Sequence, residues 1–103
     1  MNIPTDKNGY LLKLEQWTPA VAEQLATAEN ICLSDAHWEV ISVLRAFYQE
    51  YGVSPAMRIL VKQVGIALGA EKGKSIYLMQ LFPPSPAKIV SKIAGLPRPD
   101  NCF

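Results

Sequence analysis

Three times along the chain a hydroxyl residue is followed by proline and alanine: Thr18-Pro19-Ala20, Ser54-Pro55-Ala56 and Ser85-Pro86-Ala87. Each triplet predicts a helix start. The hydroxyl oxygen accepts a bond from an orphan backbone N–H, and proline at the first helical position has no N–H to leave unsatisfied. This punctuation divides the chain into short helices and leaves no room for a large sheet. The intervals, 36 and 31 residues, are unequal and the sequences between them differ, so the triplets do not mark a repeat fold.

Helical periodicity fills the spaces. The stretch 19–29 places Val21, Leu25 and Ala28 on one side. Ser34-Asp35-Ala36 predicts a second start with an acidic first turn, and Gly52 a stop after Tyr51. Trp38, Val40, Ile41, Leu44, Phe47, Tyr48 and Tyr51 then form a wide apolar face, which predicts that this helix is central. A third helix over 55–68 offers Met57, Leu60, Val61, Val64 and Leu68. A short one carries Ile76, Tyr77, Leu78, Leu81 and Phe82 and ends at Pro83-Pro84. The last, 86–94, buries Ile89, Val90 and Ile93. Ahead of them all, Asp6-Lys7-Asn8-Gly9 carries the Asn-Gly turn signal between Ile3 and Tyr10-Leu11-Leu12. The expected architecture is mainly α: a compact orthogonal bundle of about five helices, with a small N-terminal β-hairpin and an extended C-terminal arm. One domain spans 1–103, with the hairpin at about 3–12, the helical body at about 18–94 and the arm at 95–103.

Composition narrows the function classes. Half of the 103 residues are hydrophobic and 18% are charged, as in a globular domain. A net charge of +1 argues against a nucleic-acid scavenger or polybasic membrane binder. No apolar run has transmembrane length and the polar start is unlike a signal peptide. Two cysteines, Cys32 and Cys102, are too few for a secreted disulfide framework, so a cytoplasmic setting is expected.

Several motifs resemble sites and fail on spacing. Gly69-Ala70-Glu71-Lys72-Gly73-Lys74-Ser75 has three residues between its glycines where a phosphate loop has four, and no parallel sheet precedes it. His37-Trp38-Glu39 matches half of a zinc-deaminase signature, but the paired cysteines are missing. His37 is expected near a helix N-terminus, partly packed or bonding locally. No metal or cofactor is implied. The second and third helices, with Arg58, Lys62 and Gln63, also allow a helix-turn-helix DNA-binding reading, against which the low net charge stands. Cys32, between Ile31 and Leu33, is expected to be a small buried hydrophobe.

The chain's last stretch is different. Gly95 reads as a helix stop, and Pro97 and Pro99 alternate with Leu96 and Arg98 ahead of Cys102. Proline fixes φ and restrains its predecessor, which predicts a semi-rigid, solvated arm. Cys102 is the seventh residue after Gly95, so at ~3.1 Å per residue the thiol reaches roughly 20 Å. Asp100 and the terminal carboxylate oppose thiolate formation while Arg98 favours it. A thiol of modest reactivity on such an arm suits a carrier whose chemistry is completed in a partner's site.

The runs Leu33-Ser34-Asp35-Ala36-His37-Trp38-Glu39-Val40-Ile41, Ser54-Pro55-Ala56-Met57-Arg58 and Lys72-Gly73-Lys74-Ser75, with the ending Lys92-Ile93-Ala94-Gly95-Leu96-Pro97-Arg98-Pro99-x-x-Cys102, resemble the sulfur-relay family of TusE and DsrC. The resemblance covers nearly the whole chain from about Gly9. It implies that Cys102 is the working residue, a persulfide carrier of sulfurtransferase type rather than a stand-alone enzyme. DsrC proteins have a second cysteine eleven residues earlier, which falls here on Ser91. The sequence therefore resembles the TusE branch. That branch takes sulfur from a TusBCD-type donor complex through TusD and passes it to an MnmA-type thiouridylase acting on the wobble uridine of tRNA. A DsrC-like role in dissimilatory sulfur metabolism, or a regulatory member whose arm docks without carrying sulfur, is the alternative. Lys72, Lys74, Lys88, Lys92 and Arg98 are candidate partner contacts forming a basic rim near the arm base. As solvated helix ends they would do nothing of the kind, and sequence leaves both readings open.

Overall fold

In the computed structural model, which describes residues 4–99, Thr18 accepts a hydrogen bond from the Val21 N–H and opens α1, Pro19–Ala28. The expected second helix is α2, Asp35–Tyr51. Next come α3, Met57–Leu68, α4, Ser75–Leu81, and α5, Pro86–Ile93. A 3-10 turn at Leu14–Gln16, which the periodicity does not announce, leads into α1. The mainly helical expectation is met.

At the N-terminus the turn forms but the hairpin does not extend. Asp6 Oδ1 accepts from the N–H groups of Asn8 and Tyr10, and the Gly9 N–H donates to the Asp6 carbonyl. Beyond the turn, a single isolated antiparallel bridge joins Thr5 to Leu11, with no named strand among the described residues. Ile3, the remaining expected strand residue, lies outside them. Tyr10 and Leu11 are buried against the helices instead, so tertiary packing rather than cross-strand pairing holds this segment.

The second and third hydroxyl–proline signals behave differently from the first. Ser54 does not cap α3, whose N-cap is Ala56, and its hydroxyl is used elsewhere. Ser85 does occupy the N-cap of α5 with Pro86 at the first position, but its side chain makes no cap bond.

The centre of the molecule is α5, not α2. This eight-residue helix packs against α1, α2, α3 and α4, and six of its residues are buried: Pro86, Ala87, Ile89, Val90, Ser91 and Ile93. The wide face of α2 buries Val40, Ile41 and Leu44, while Tyr51 at its end remains exposed. In α1 the buried set is Val21, Ala22, Leu25 and Ala26, and Ala28 is exposed. Burying a short helix on nearly all sides requires apolar residues all round it. The only stripe of α5 left outward carries Lys88 and Lys92, four residues apart.

Two sequence motifs find structural uses. His37 Nδ1 accepts from the Ser34 N–H at 3.0 Å, which leaves Nε2 to carry the ring proton and donate to the Leu81 carbonyl at 2.8 Å. The ring also stands edge-on to Phe82, so His37 ties the start of α2 to the end of α4. In the phosphate-loop-like stretch, a Cβ on Gly73 would lie 2.4 Å from the Gly65 Cα. That glycine is there because the link presses against the α3 backbone.

Candidate functional site: the root of the arm

A helix end leaves its last carbonyls without intrahelical partners. At the end of α5 each is met. The Leu96 N–H donates to the Ser91 carbonyl at 2.9 Å and the Gly95 N–H to the Lys92 carbonyl at 3.1 Å, with Gly95 in the left-handed region at φ 74°. This is a Schellman closure, with Leu96 as its apolar contact, 3% exposed. The next two carbonyls are served from far away in sequence. Trp17 Nε1 donates to the Ile93 carbonyl at 2.9 Å, and Arg45 donates to the Ala94 carbonyl.

Trp17 and Arg45 also hold each other. The guanidinium carbon lies 3.8 Å from the centre of the indole ring, which places the cation over the face of the π-system. Arg45 thereby sets a positive charge at the negative end of the α5 dipole. Burial pulls the Arg45 pKa down from its ordinary value, but a guanidinium remains charged throughout the working pH range. The indole packs so tightly on Gly95 that a Cβ there would lie 2.3 Å from the Trp17 Cδ1. No other residue type fits.

Beyond this root the arm is docked as far as it is described. The Ser54 hydroxyl donates to the Pro97 carbonyl, and Pro99 is buried. The expected solvated segment is therefore corrected over 95–99: Leu96 and Pro99 face the body, and only Pro97 and Arg98 are exposed. The alternation of the two prolines with Leu96 and Arg98 puts one side of an extended chain inward. Cys102 lies outside the described residues. Ser91 sits inside α5 rather than on the arm, fully buried, and its hydroxyl has no hydrogen-bond partner among the described atoms.

The expected basic rim separates into two groups. Lys88, Lys92 and Arg98 line one cleft beside the arm, together with Asn8, Tyr10 and Glu29. Lys92 is engaged there, 3.1 Å from Glu29 and over the Tyr10 ring. Lys72 and Lys74 do not line that cleft. They lie ahead of α4, where Lys72 pairs with Glu39 at 2.7 Å. That hydrogen bond, with lesser Coulombic help, raises the Lys72 pKa. Cys32 is exposed on the α1–α2 link, contrary to its expected burial. Its neighbour Ile31 takes the inward position and turns Cys32 outward.

The residues that build the root, Trp17, Arg45 and Ser54, were not singled out by sequence reasoning as a group. A tryptophan just before a helix cap and an arginine on an otherwise apolar helix face were the available signals.

The family model described as DsrC like protein matches residues 1–103. The chain belongs to the DsrC-like family. Among curated relatives, the Sulfurtransferase TusE homolog of Haemophilus influenzae is 54% identical over 103 residues, covering 100% of this chain and 94% of that protein. Sulfurtransferase TusE of Sodalis glossinidius is 54% identical over 101 residues, covering 98% and 94%. Among solved structures, the NMR structure of Allochromatium vinosum DsrC superposes with a TM-score of 0.89 at 46% identity, over 98% of this chain and 90% of that one. The oxidized gamma-subunit of the dissimilatory sulfite reductase (DsrC) of Archaeoglobus fulgidus gives 0.83 at 37% identity, over 98% and 92%. Among the described residues of this DsrC-like chain, no helix is long and apolar enough to cross a membrane.

Proposed function

We propose that this protein is a sulfur carrier of the TusE type, with Cys102 as the atom that bears the sulfur. The observation that carries the reading is the built root of the arm. Trp17, Arg45, Ser54 and the Schellman closure fix the segment that leads to Cys102, and they anchor it on the most buried helix of the fold. Full-length relatives named sulfurtransferase TusE support it.

The reaction needs no outside oxidant or reductant. The Cys102 thiolate attacks the outer sulfur of a donor persulfide, the donor's S–S bond breaks, and the donor departs as its thiolate. Cys102 then holds the persulfide, and an acceptor cysteine attacks its outer sulfur in the same way and releases the Cys102 thiolate. The proposed donor is a TusBCD-type complex acting through TusD. The proposed acceptor is an MnmA-type thiouridylase working on tRNA, in a cytoplasmic setting. Lys88, Lys92 and Arg98 flank the arm root and are the proposed partner contacts. Lys72 and Lys74, set apart from that cleft, are proposed as outlying ones.

The chain is also similar to DsrC proteins of known structure, which favours a dissimilatory role as the second reading. Ser91 weighs against it, because a buried hydroxyl at that position cannot form a disulfide with Cys102.

The test is mass spectrometry after incubation with a persulfide-loaded donor. Wild type should gain one sulfur atom and Cys102→Ser none. An equal gain on Cys102→Ser would end the proposal. Deletion of the gene should remove 2-thiouridine from tRNA, and its retention would exclude the tRNA branch.

A further inference from the structure

Two clefts beside α5 share their middle. One is apolar, lined by Met57, Met79, Pro84 and Pro86. The other is the basic cleft of Lys88, Lys92 and Arg98. Pro84, Ser85 and Lys88 line both, so they form one groove that runs from an apolar end along the open stripe of α5 to the arm.

The charges in the groove are unequal. Among the described residues, only Lys92 of its three cations is matched, by Glu29 at 3.1 Å. Lys88 and Arg98 have no ion pair with any described carboxylate. At the other end Met79 is 43% exposed, a large flexible apolar side chain with nothing described covering it. Methionines adapt their shape to an incoming side chain. A groove that is apolar at one end and cationic at the other selects a ligand that is apolar at one end and anionic at the other.

We infer that this groove docks an extended segment of a partner protein that carries an apolar anchor and, two to three residues away, a pair of carboxylates. The anchor seats against Met57 and Met79, and the carboxylates meet Lys88 and Arg98. The spacing follows from α5 itself: Ala87 lines the apolar cleft and Lys92 the basic one, and the rise between them, roughly 8 Å at ~1.5 Å per residue, is covered by an extended chain in about two to three residues. Arg98 is part of the arm, so the same contact sets the partner beside the segment that leads to Cys102. The inference deepens the partner-contact part of the relay reading but does not depend on the sulfur chemistry.

A labelled synthetic peptide with a leucine and, three residues on, an Asp-Glu pair serves as the probe, made in both chain orders. Fluorescence anisotropy with the intact protein should show saturable binding by one order, weakening as salt is added. Two-dimensional NMR should move the Met57 and Met79 methyl and the Ser85 and Lys88 amide resonances. Lys88→Glu should weaken binding about tenfold or more and gain binding of the peptide whose acids are replaced by lysines. Met79→Gln, at an exposed position that leaves the fold intact, should weaken binding without changing its salt dependence. Equal binding of acidic and amide-substituted peptides, or shifts confined to another face, would overturn the inference. The assay contains no sulfur donor. Its failure therefore leaves the Cys102 proposal standing, and a failure of sulfur loading leaves this one standing.

Discussion

Gly95 is held by two separate constraints, and substitutions can tell them apart. Its φ of 74° disfavours any side chain, and its missing Cβ makes room for the Trp17 ring. Gly52, at the end of α2, has a similar φ of 72° but nothing within 4 Å of where a Cβ would stand. Gly52→Ala should therefore cost about 1 kcal/mol, the backbone cost alone. Gly95→Ala should cost about 2–4 kcal/mol, because the indole must also move. Urea denaturation of the two variants measures the difference, and equal losses would mean that Trp17 repacks freely. Trp17→Phe removes the Nε1–H donor and orphans the Ile93 carbonyl. It should cost about 1–3 kcal/mol by the same measurement. The Lys72–Glu39 pair is a contrasting case. Its side chains are 36% and 43% exposed, so Glu39→Gln should scarcely change the melting temperature in physiological salt. Because the pair raises the Lys72 pKa, its small contribution is present below the ordinary lysine pKa. It fades as pH rises through the raised value.

The elements show where local sequence carries enough information and where it does not. The α1 start is read correctly because Thr18 acts on its own chain, three residues ahead. Ser54-Pro55-Ala56 has the same local form, yet its hydroxyl bonds Pro97, forty-three residues away. Nothing within the triplet distinguishes a cap from a tertiary tether. The α2 boundaries were legible because Ser34 and Gly52 both act locally. That α5 rather than α2 is central was not legible, since a wide apolar face says how much a helix buries but not how many neighbours share it. Trp17 and Arg45 were silent for the same reason, as their partners Ile93 and Ala94 are brought close only by the fold. The Ser54 tether gives a prediction at this scale. Ser54→Ala should change stability by less than about 1 kcal/mol, because the hydroxyl and the carbonyl lie near the surface and water can replace the bond. It should nevertheless lower the NMR order parameters of the Leu96 and Arg98 amides. Unchanged order at both would mean that the burial of Leu96 and Pro99 alone holds the arm.

For the whole molecule, docking of the arm as far as Pro99 changes its working length. If Gly95 were the pivot, the thiol could sweep roughly 20 Å, but from a fixed Pro99 the three residues to Cys102 extend only about 10 Å. On the relay reading, the body then has to come close to whichever protein gives or takes sulfur, and the groove proposed beside α5 is placed to take part in that approach. On the relay reading, deletion of Asp100 and Asn101 removes about 7 Å of this reach. Transfer from the loaded carrier to a protein acceptor should then fall by about tenfold or more, whereas loading from a small persulfide such as glutathione persulfide should stay within about twofold. Adding Ser54→Ala to the deletion should restore part of the transfer, because a released arm recovers length from its docked segment. Single-turnover transfer measured by mass spectrometry on the three proteins decides it. A deletion that transfers as fast as wild type would mean that the arm leaves the body before Pro99 during the reaction, and the root at Gly95 would again be its pivot.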